Sequence, residues 1–316
     1  MKKIKFVPVL AIAALLSACG VNKGISVKAP KFAKEGEEVT YAEFGTKLEA
    51  AIDASELADA ESKLGDTVIS AKQTQSQVSV LKNGKKELSR EEQKVVYEDH
   101  YKFDADNLLG ESSSSFKVYG LQSDVHGEKT QEEKEEESYR YQFGEGDESK
   151  YLYRYELETK YFYQEASVAD GDTQEHLFNI CMKEEVYNSI STFFGLMPTT
   201  ETEASSYKFY VNGNVFTFVD SYDESGNMTD DVSNVYGTYA DKGELKVQLD
   251  LTNGAQKLKV AMEVTETGKY TAAYGSYGEG DEVKAEYKMY MDNSVQSKKV
   301  SLKAIDASEF VENPII

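Results

Sequence analysis

The chain has no tryptophan, four prolines, three histidines and two cysteines among its 316 residues. Each shortage removes a class of explanation. The histidines, His100, His126 and His176, show neither i, i+4 helical spacing nor short-loop spacing, so no imidazole-based zinc site is expected. With two cysteines, Cys19 and Cys181, there is no disulfide framework, and Cys181 reads as a small buried apolar residue. No Gly-x-Ser-x-Gly, phosphate-cradling loop or Cys–His arrangement occurs. The chain therefore reads as non-enzymatic, with no cofactor and no metal. Beyond the N-terminus no segment approaches eighteen apolar residues, so no later membrane span is expected.

Positive charge is also scarce, at 35 Lys and Arg against 56 Asp and Glu, a net charge of −21. Such an excess of acid argues against nucleic acid and against adsorption to anionic lipid or teichoic acid. It suits a solvated, self-repelling surface or the uptake of divalent cations.

What is abundant is tyrosine, at 22, with 14 phenylalanines. Together with little proline, that balance favours long, regular β-strands.

The first residues, MKKIKFVPVLAIAALLSACG, place Lys2, Lys3 and Lys5 ahead of an apolar run from Phe6 to Leu16. The run is too short to span a bilayer, and its flanks are those of a secretory signal peptide. The segment Leu16-Ser17-Ala18-Cys19-Gly20 resembles the lipobox of bacterial lipoproteins. The resemblance implies cleavage between Ala18 and Cys19 and a diacylglycerol on the Cys19 thiol. Each buried CH₂ contributes about 0.8 kcal/mol, and two acyl chains suffice for stable attachment. Residues 1–18 are then the signal peptide, and their loss takes the net charge to −24. The expected location is the outer face of the cytoplasmic membrane, with the membrane itself as partner through the lipid anchor.

Residues 19–38 lack periodicity and read as a lipidated tether. Thr40 with Glu43 fits a capping box, and Phe44, Leu48, Ala51 and Ile52 form one helical apolar face. From about residue 67 the period becomes two, with an Asn83-Gly84 hairpin signal, a charge run at Gln131–Ser138 and turns at short intervals. A second helical stretch places Val186, Ile190, Phe193 and Phe194 on one face, stopped by Gly195 and Pro198. A second meander follows, with Asn-Gly turns at Asn212-Gly213 and Asn253-Gly254. The order helix, Asn-Gly hairpin, GEGDE hairpin thus occurs twice, predicting an internal duplication of residues 39–165 and 172–310.

The GEGDE stretches, Gly144–Glu148 and Gly278–Glu282, pack three carboxylates into five residues. Lying between strands, they read most simply as Gly-rich turns, with calcium as the alternative. The segments from Asp104 and from Asp220 to Asp231 fail the EF-hand spacing. Tyr151, Tyr153 and Tyr155 share one strand face, either as cross-strand packing or as an exposed platform.

A lipidated cysteine, a tether, an amphipathic helix and a long meander together resemble the LolA/LppX-like class of envelope lipoproteins. The resemblance implies an α+β fold, a curved half-barrel of antiparallel strands covered by amphipathic helices, with an apolar small molecule or lipid held between helix and sheet. It assigns no binding residue. The alternative function is a structural or adhesive surface lipoprotein acting through Tyr-rich or acidic strand faces; no protein partner is indicated. Cys19→Ser is expected to release the protein from carbonate-washed membranes, as read by fractionation; persistent attachment would contradict the lipobox reading.

Overall fold

The computed structural model describes residues 25, 27–54, 68–104, 107–124, 127–143, 151–156, 159–164, 189–230, 234–298, 302 and 311–312. In chain order the elements are β1 (Glu37–Val39), α1 (Tyr41–Asp53), β2 (Val68–Asn83), β3 (Lys86–Asp104), β4 (Asn107–Asp124), β5 (Gly127–Phe143), β6 (Tyr151–Glu156) and β7 (Thr159–Gln164). They continue with α2 (Ser189–Leu196), β8 (Tyr207–Asn212), β9 (Val215–Thr229), β10 (Val235–Asp250), β11 (Gln256–Tyr270), β12 (Glu282–Lys298) and β13 (Val311–Glu312). All the strands join one sheet, in the order β1-β8-β9-β10-β11-β12-β2-β3-β4-β5-β6-β7-β13. Pairing is antiparallel throughout except between β13 and β7. The later meander, β8–β12, is joined to the earlier one by sixteen residue pairs between β12 and β2.

Local chemistry sets the turns. Gly84, Gly213 and Gly254 each have a positive φ, at 56°, 58° and 66°, and Asn253 joins them at 56°. Left-handed backbone of this kind is where Asn and Gly are tolerated. The hairpins define two ends of the sheet. At the proximal end lie the turns after β8 and β10; at the distal end lie the turn after β2 and residues 271–281 between β11 and β12. Strand β5 finishes at the proximal end, so the two GEGDE stretches follow strands that finish at opposite ends. The first copy lies outside the described residues.

Among the described residues, helices cover one face of the sheet over its proximal part. Thr40 caps α1, accepting from the Glu43 amide while the Glu43 carboxylate accepts from the Thr40 amide. The helix then buries Phe44 and Leu48, with Ala51 and Ile52 packed beside them. Phe193 of α2 is fully buried against the same cluster, whose sheet side is Phe209, Phe216, Phe218, Val247, Leu249, Leu258 and Val260. Phe44 lies 5.1 Å from Phe209 and 5.6 Å from Phe216, and Phe193 lies 5.2 Å from Phe218, centroid to centroid. Tyr41 donates to the Pro198 carbonyl at 2.9 Å, tying α1 to the chain after α2.

The opposite face carries a strap. Residues 31–36 cross β8–β11 there: the Ala33 amide donates to Gln248 Oε1 at 2.8 Å, and Gln248 Nε2 donates back to the Ala33 carbonyl at 3.3 Å. Lys259 Nζ donates to the Lys31 carbonyl at 2.6 Å, Lys246 pairs with Glu35, and the Lys246 ammonium sits 5.1 Å from the Phe32 ring centroid. Gly36 passes so close to β8 that an added Cβ would stand 1.9 Å from the Val211 carbonyl oxygen. Further along, this strap face is laced by cross-strand ion pairs such as Lys72–Glu98 at 2.8 Å and Lys288–Glu263 at 3.0 Å. Exposed pairs are worth about 0–1 kcal/mol each, so they keep a two-sided sheet solvated rather than stabilising it strongly.

The expected α+β class, a half-barrel covered by amphipathic helices and built as a duplicated helix-plus-sheet unit, is overturned. The structure is mainly antiparallel β, and the two helices of the described residues both sit over one cluster. The helix that begins the first predicted half packs on β8, a strand of the second. The reason is one of size. Helices of thirteen and eight residues offer short apolar stripes, whereas the long strands run fifteen to nineteen residues. Those strands carry polar side chains on both faces, so most of the sheet needs no cover. Phe194, expected on the buried face of α2, is 42% exposed. Phe44→Ala removes the ring that joins α1 to the sheet, and is expected to cost about 3–5 kcal/mol. Urea unfolding checks this; a loss below about 1 kcal/mol would contradict the packing.

Candidate interaction surface

Ala18 and Cys19, the expected processing and lipidation residues, lie outside the described residues, as do His126, His176 and Cys181. Tyr151, Tyr153 and Tyr155 fall at alternate positions of β6. His100 is in β3, with Nε2 3.7 Å from Glu98 Oε1 and Nδ1 buried without a hydrogen-bond partner. The stretch from Asp220, scored above against a calcium loop, is strand: residues 215–229 form β9.

On the helix face, beyond the reach of α1 and α2, register sets tyrosines opposite glycines. Tyr222 pairs with Gly243, and Tyr239 pairs with Gly226 on one side and Gly268 on the other. The Tyr222 ring lies over Gly243, where an added Cβ would meet it at 2.2 Å, and the Tyr239 ring covers Gly226 at 2.9 Å. A large ring filling the space above a strand glycine restores cross-strand packing that glycine cannot supply. Tyr239 stays 40% exposed.

Between these two tyrosines lies a row of acids. Glu224, Asp241 and Glu266 are directly opposite one another on β9, β10 and β11. Tyr222 donates its hydroxyl proton to Asp241 Oδ1 at 3.0 Å. Burial, then that hydrogen bond and the surrounding carboxylates, push the Tyr222 phenol up to about 12. Burial, followed by the charge of Asp241, raises the Glu266 carboxyl above its ordinary range.

The distal edge of this surface is an aromatic stack. Tyr236 and Tyr274 are parallel to within 4° at 3.9 Å, Tyr270 lies 6.1 Å from Tyr236, and Tyr277 lies 4.8 Å from Tyr270. Backbone bonds hold the rings in place: Tyr274 and Tyr277 exchange both amide bonds, at 3.0 and 3.1 Å, and Thr271 donates to the Tyr236 carbonyl at 2.9 Å. The second GEGDE copy is the turn beneath them. Asp281 Oδ2 accepts from the Gly278 amide at 2.8 Å, Gly280 takes φ 91°, and Glu282 pairs with Lys269 at 3.1 Å. Among the described residues no group of three His, Cys, Asp or Glu side chains is arranged to hold a metal ion. Tyr274 is 47% exposed.

No family model and no curated protein matches the chain. Among solved structures it is similar to the outer membrane protein OprG from Pseudomonas aeruginosa, over 74% of this chain and 97% of that one. The identity is 7% and the TM-score 0.15, too slight a likeness to argue from.

The surface therefore stands on its own geometry: exposed rings, a carboxylate row and a rigid turn. Sequence reading looked for a platform at Tyr151–Tyr155 and missed this one. The signal was available in the isolated glycines inside strands, Gly226, Gly243 and Gly268, each facing a position a large ring could cover.

Because Glu266 holds its proton more tightly when folded, it costs stability once both states are ionised, above its raised folded pKa. Below the ordinary value of 4.5 both states are protonated and the cost disappears. Glu266→Gln is accordingly expected to raise the melting temperature at pH 7, with the gain fading as the pH falls through the raised folded pKa and gone below 4.5. Scanning calorimetry at pH 7 and pH 4 checks this; a loss at pH 7, or a gain independent of pH, would contradict it.

Proposed function

We propose that this protein is a lipid-anchored, non-enzymatic surface lipoprotein that presents the distal tyrosine-lined sheet face for contact. The signal-peptide charge pattern and the Ala18–Cys19 step support anchoring, with Cys19 as the lipidated residue at the outer face of the cytoplasmic membrane. No helix of the described residues is long and apolar enough to cross a membrane.

The observation that carries the reading is the strap. Lys31 to Gly36 is fixed across the proximal end of β8–β11, so a Cys19 anchor is joined there by only eleven residues, 20–30. Those residues reach at most about 40 Å when extended. From Gln248 under the strap to Tyr236 in the distal stack, β10 runs a further 40 Å or so at about 3.3 Å per residue. The attachment point and the tyrosine stack are thus at opposite ends of one rigid strand.

An apolar ligand between helix and sheet is the rival use of such a lipoprotein. The space under both helices is occupied by Phe44, Phe193, Phe216 and Phe218, none of them solvent-exposed. That packing favours a role for the uncovered distal face, in contact with a macromolecule, over carriage of a ligand beneath the helices.

Reconstitution of the lipidated protein in liposomes tests the orientation. With Cys181→Ser removing the other thiol, dyes are placed at Ser276→Cys in the distal loop and at Asn253→Cys in the proximal turn. Energy transfer to acceptor lipids is expected to be strong from residue 253 and weak from residue 276. Equal transfer from both would mean that the sheet lies flat on the bilayer, and would overturn the proposal.

A further inference from the structure

The helix face of the later meander is chemically one-sided. Strands β8–β12 and β2 contain no arginine. Alternation and register turn every lysine whose side chain is described in those strands onto the strap face, where lysines and acids pair. The helix face of the same strands keeps Asp220, Asp241 and Glu266 and receives no lysine or arginine from those strands. Segregation of this kind is not needed for solubility, since the strap face is solvated by mixed charge.

We propose that this distal helix face docks an extended arginine- or lysine-rich segment of another protein, with cations over the Asp241–Glu266 carboxylates and against the ring of Tyr239. The inference rests on the reading of the distal face as a contact surface and names its partner chemistry. Charge complementarity chooses the occupant: an acidic row beside the exposed ring of Tyr239 offers ion pairing and ring–cation attraction to the same side chain. The scale chooses a polymer over a single ion. Three strands at about 4.8 Å spacing spread the row over about 10 Å, and Asp220 lies about 13 Å from Glu224 along β9. An extended chain, whose alternate side chains repeat at about 6.6 Å, reaches several of these groups at once. The repulsion already present between Asp241 and Glu266 is relieved when a cation sits between them.

The test uses the lipidated protein in uncharged detergent micelles and a fluorescein-labelled deca-arginine, followed by anisotropy at 0.15 M salt. Saturable binding is expected, weakened about tenfold by Asp241→Asn with Glu266→Gln. Tyr239→Ala is expected to weaken it about fivefold, with Tyr239→Phe close to the parent protein because the ring face is kept. The strap-face pair Asp223→Asn with Glu244→Gln removes the same charge and should leave binding unchanged. Equal weakening by the two double variants would show attraction to net charge alone and overturn the proposal, as would an absence of binding. If the first double variant loses its melting transition, the comparison of Tyr239→Ala with Tyr239→Phe decides the matter: equal binding by both overturns it. Failure here, with the two dye positions still reporting opposite ends of the sheet, would refute the partner chemistry and leave the orientation standing.

Discussion

Everything in this structure depends on one patch of ring packing. Phe44 and Phe193 from the two helices meet Phe209, Phe216 and Phe218 from the sheet, with ring separations of 5.1 to 5.6 Å. Rings in such tilted and edge-on arrangements gain about 0.5–1.5 kcal/mol per pair beyond their buried area. The patch lies at the proximal end of β8–β11. Its consequence is positional: the two helices are committed there, and among the described residues no helix lies over the remaining length of those strands. Beyond the described helices the strands carry polar side chains on both faces, and the two faces do so differently. The strap face mixes lysine with acid in cross-strand pairs. The helix face of the described strands, beyond its core, uses carboxylates and tyrosine over glycine.

The strap gives the arrangement a direction. The Ala33–Gln248 pair of hydrogen bonds, the Lys246–Glu35 ion pair and the close passage of Gly36 over Val211 pin the chain to the proximal end just before β1. Because β10 and β11 are continuous from that end to the tyrosine stack, fixing one end orients the other. The strap face and the helix face are therefore distinct in role. One receives the incoming chain, and the other ends in an exposed surface of rings and acids.

Local features of the fold were legible in the amino-acid order. Thr40 and Glu43 announce α1, the spacing of Phe44 and Leu48 marks its buried side, and Asn-Gly pairs mark turns at residues 83, 212 and 253. What could not be read was long-range pairing. Nothing in the period of α1 says that Phe44 packs on Phe209, some 165 residues later, or that β12 pairs with β2. The acidic stretch from Asp220 fails the calcium-loop spacing, and its carboxylates and glycine are residues common in turns. It is strand because Tyr222 and Gly226 have cross-strand partners that complete their packing. The tyrosine surface was obscured for the same reason, since each of its pairs joins residues on different strands. The helix-covered half-barrel failed on a quantity that pattern reading underweights, the area of sheet against the area of helix available to cover it.

The central claim is that one proximal core and a strap hold a sheet whose distal face stays open. Amide hydrogen exchange on the intact protein measures this directly. The account predicts the slowest exchange at Phe216–Phe218, Val247–Leu249 and Leu258–Val260, with markedly faster exchange at Tyr236–Tyr239 and Thr267–Tyr270. Uniform protection along β10 and β11, or slower exchange at the distal end than under the helices, would contradict it.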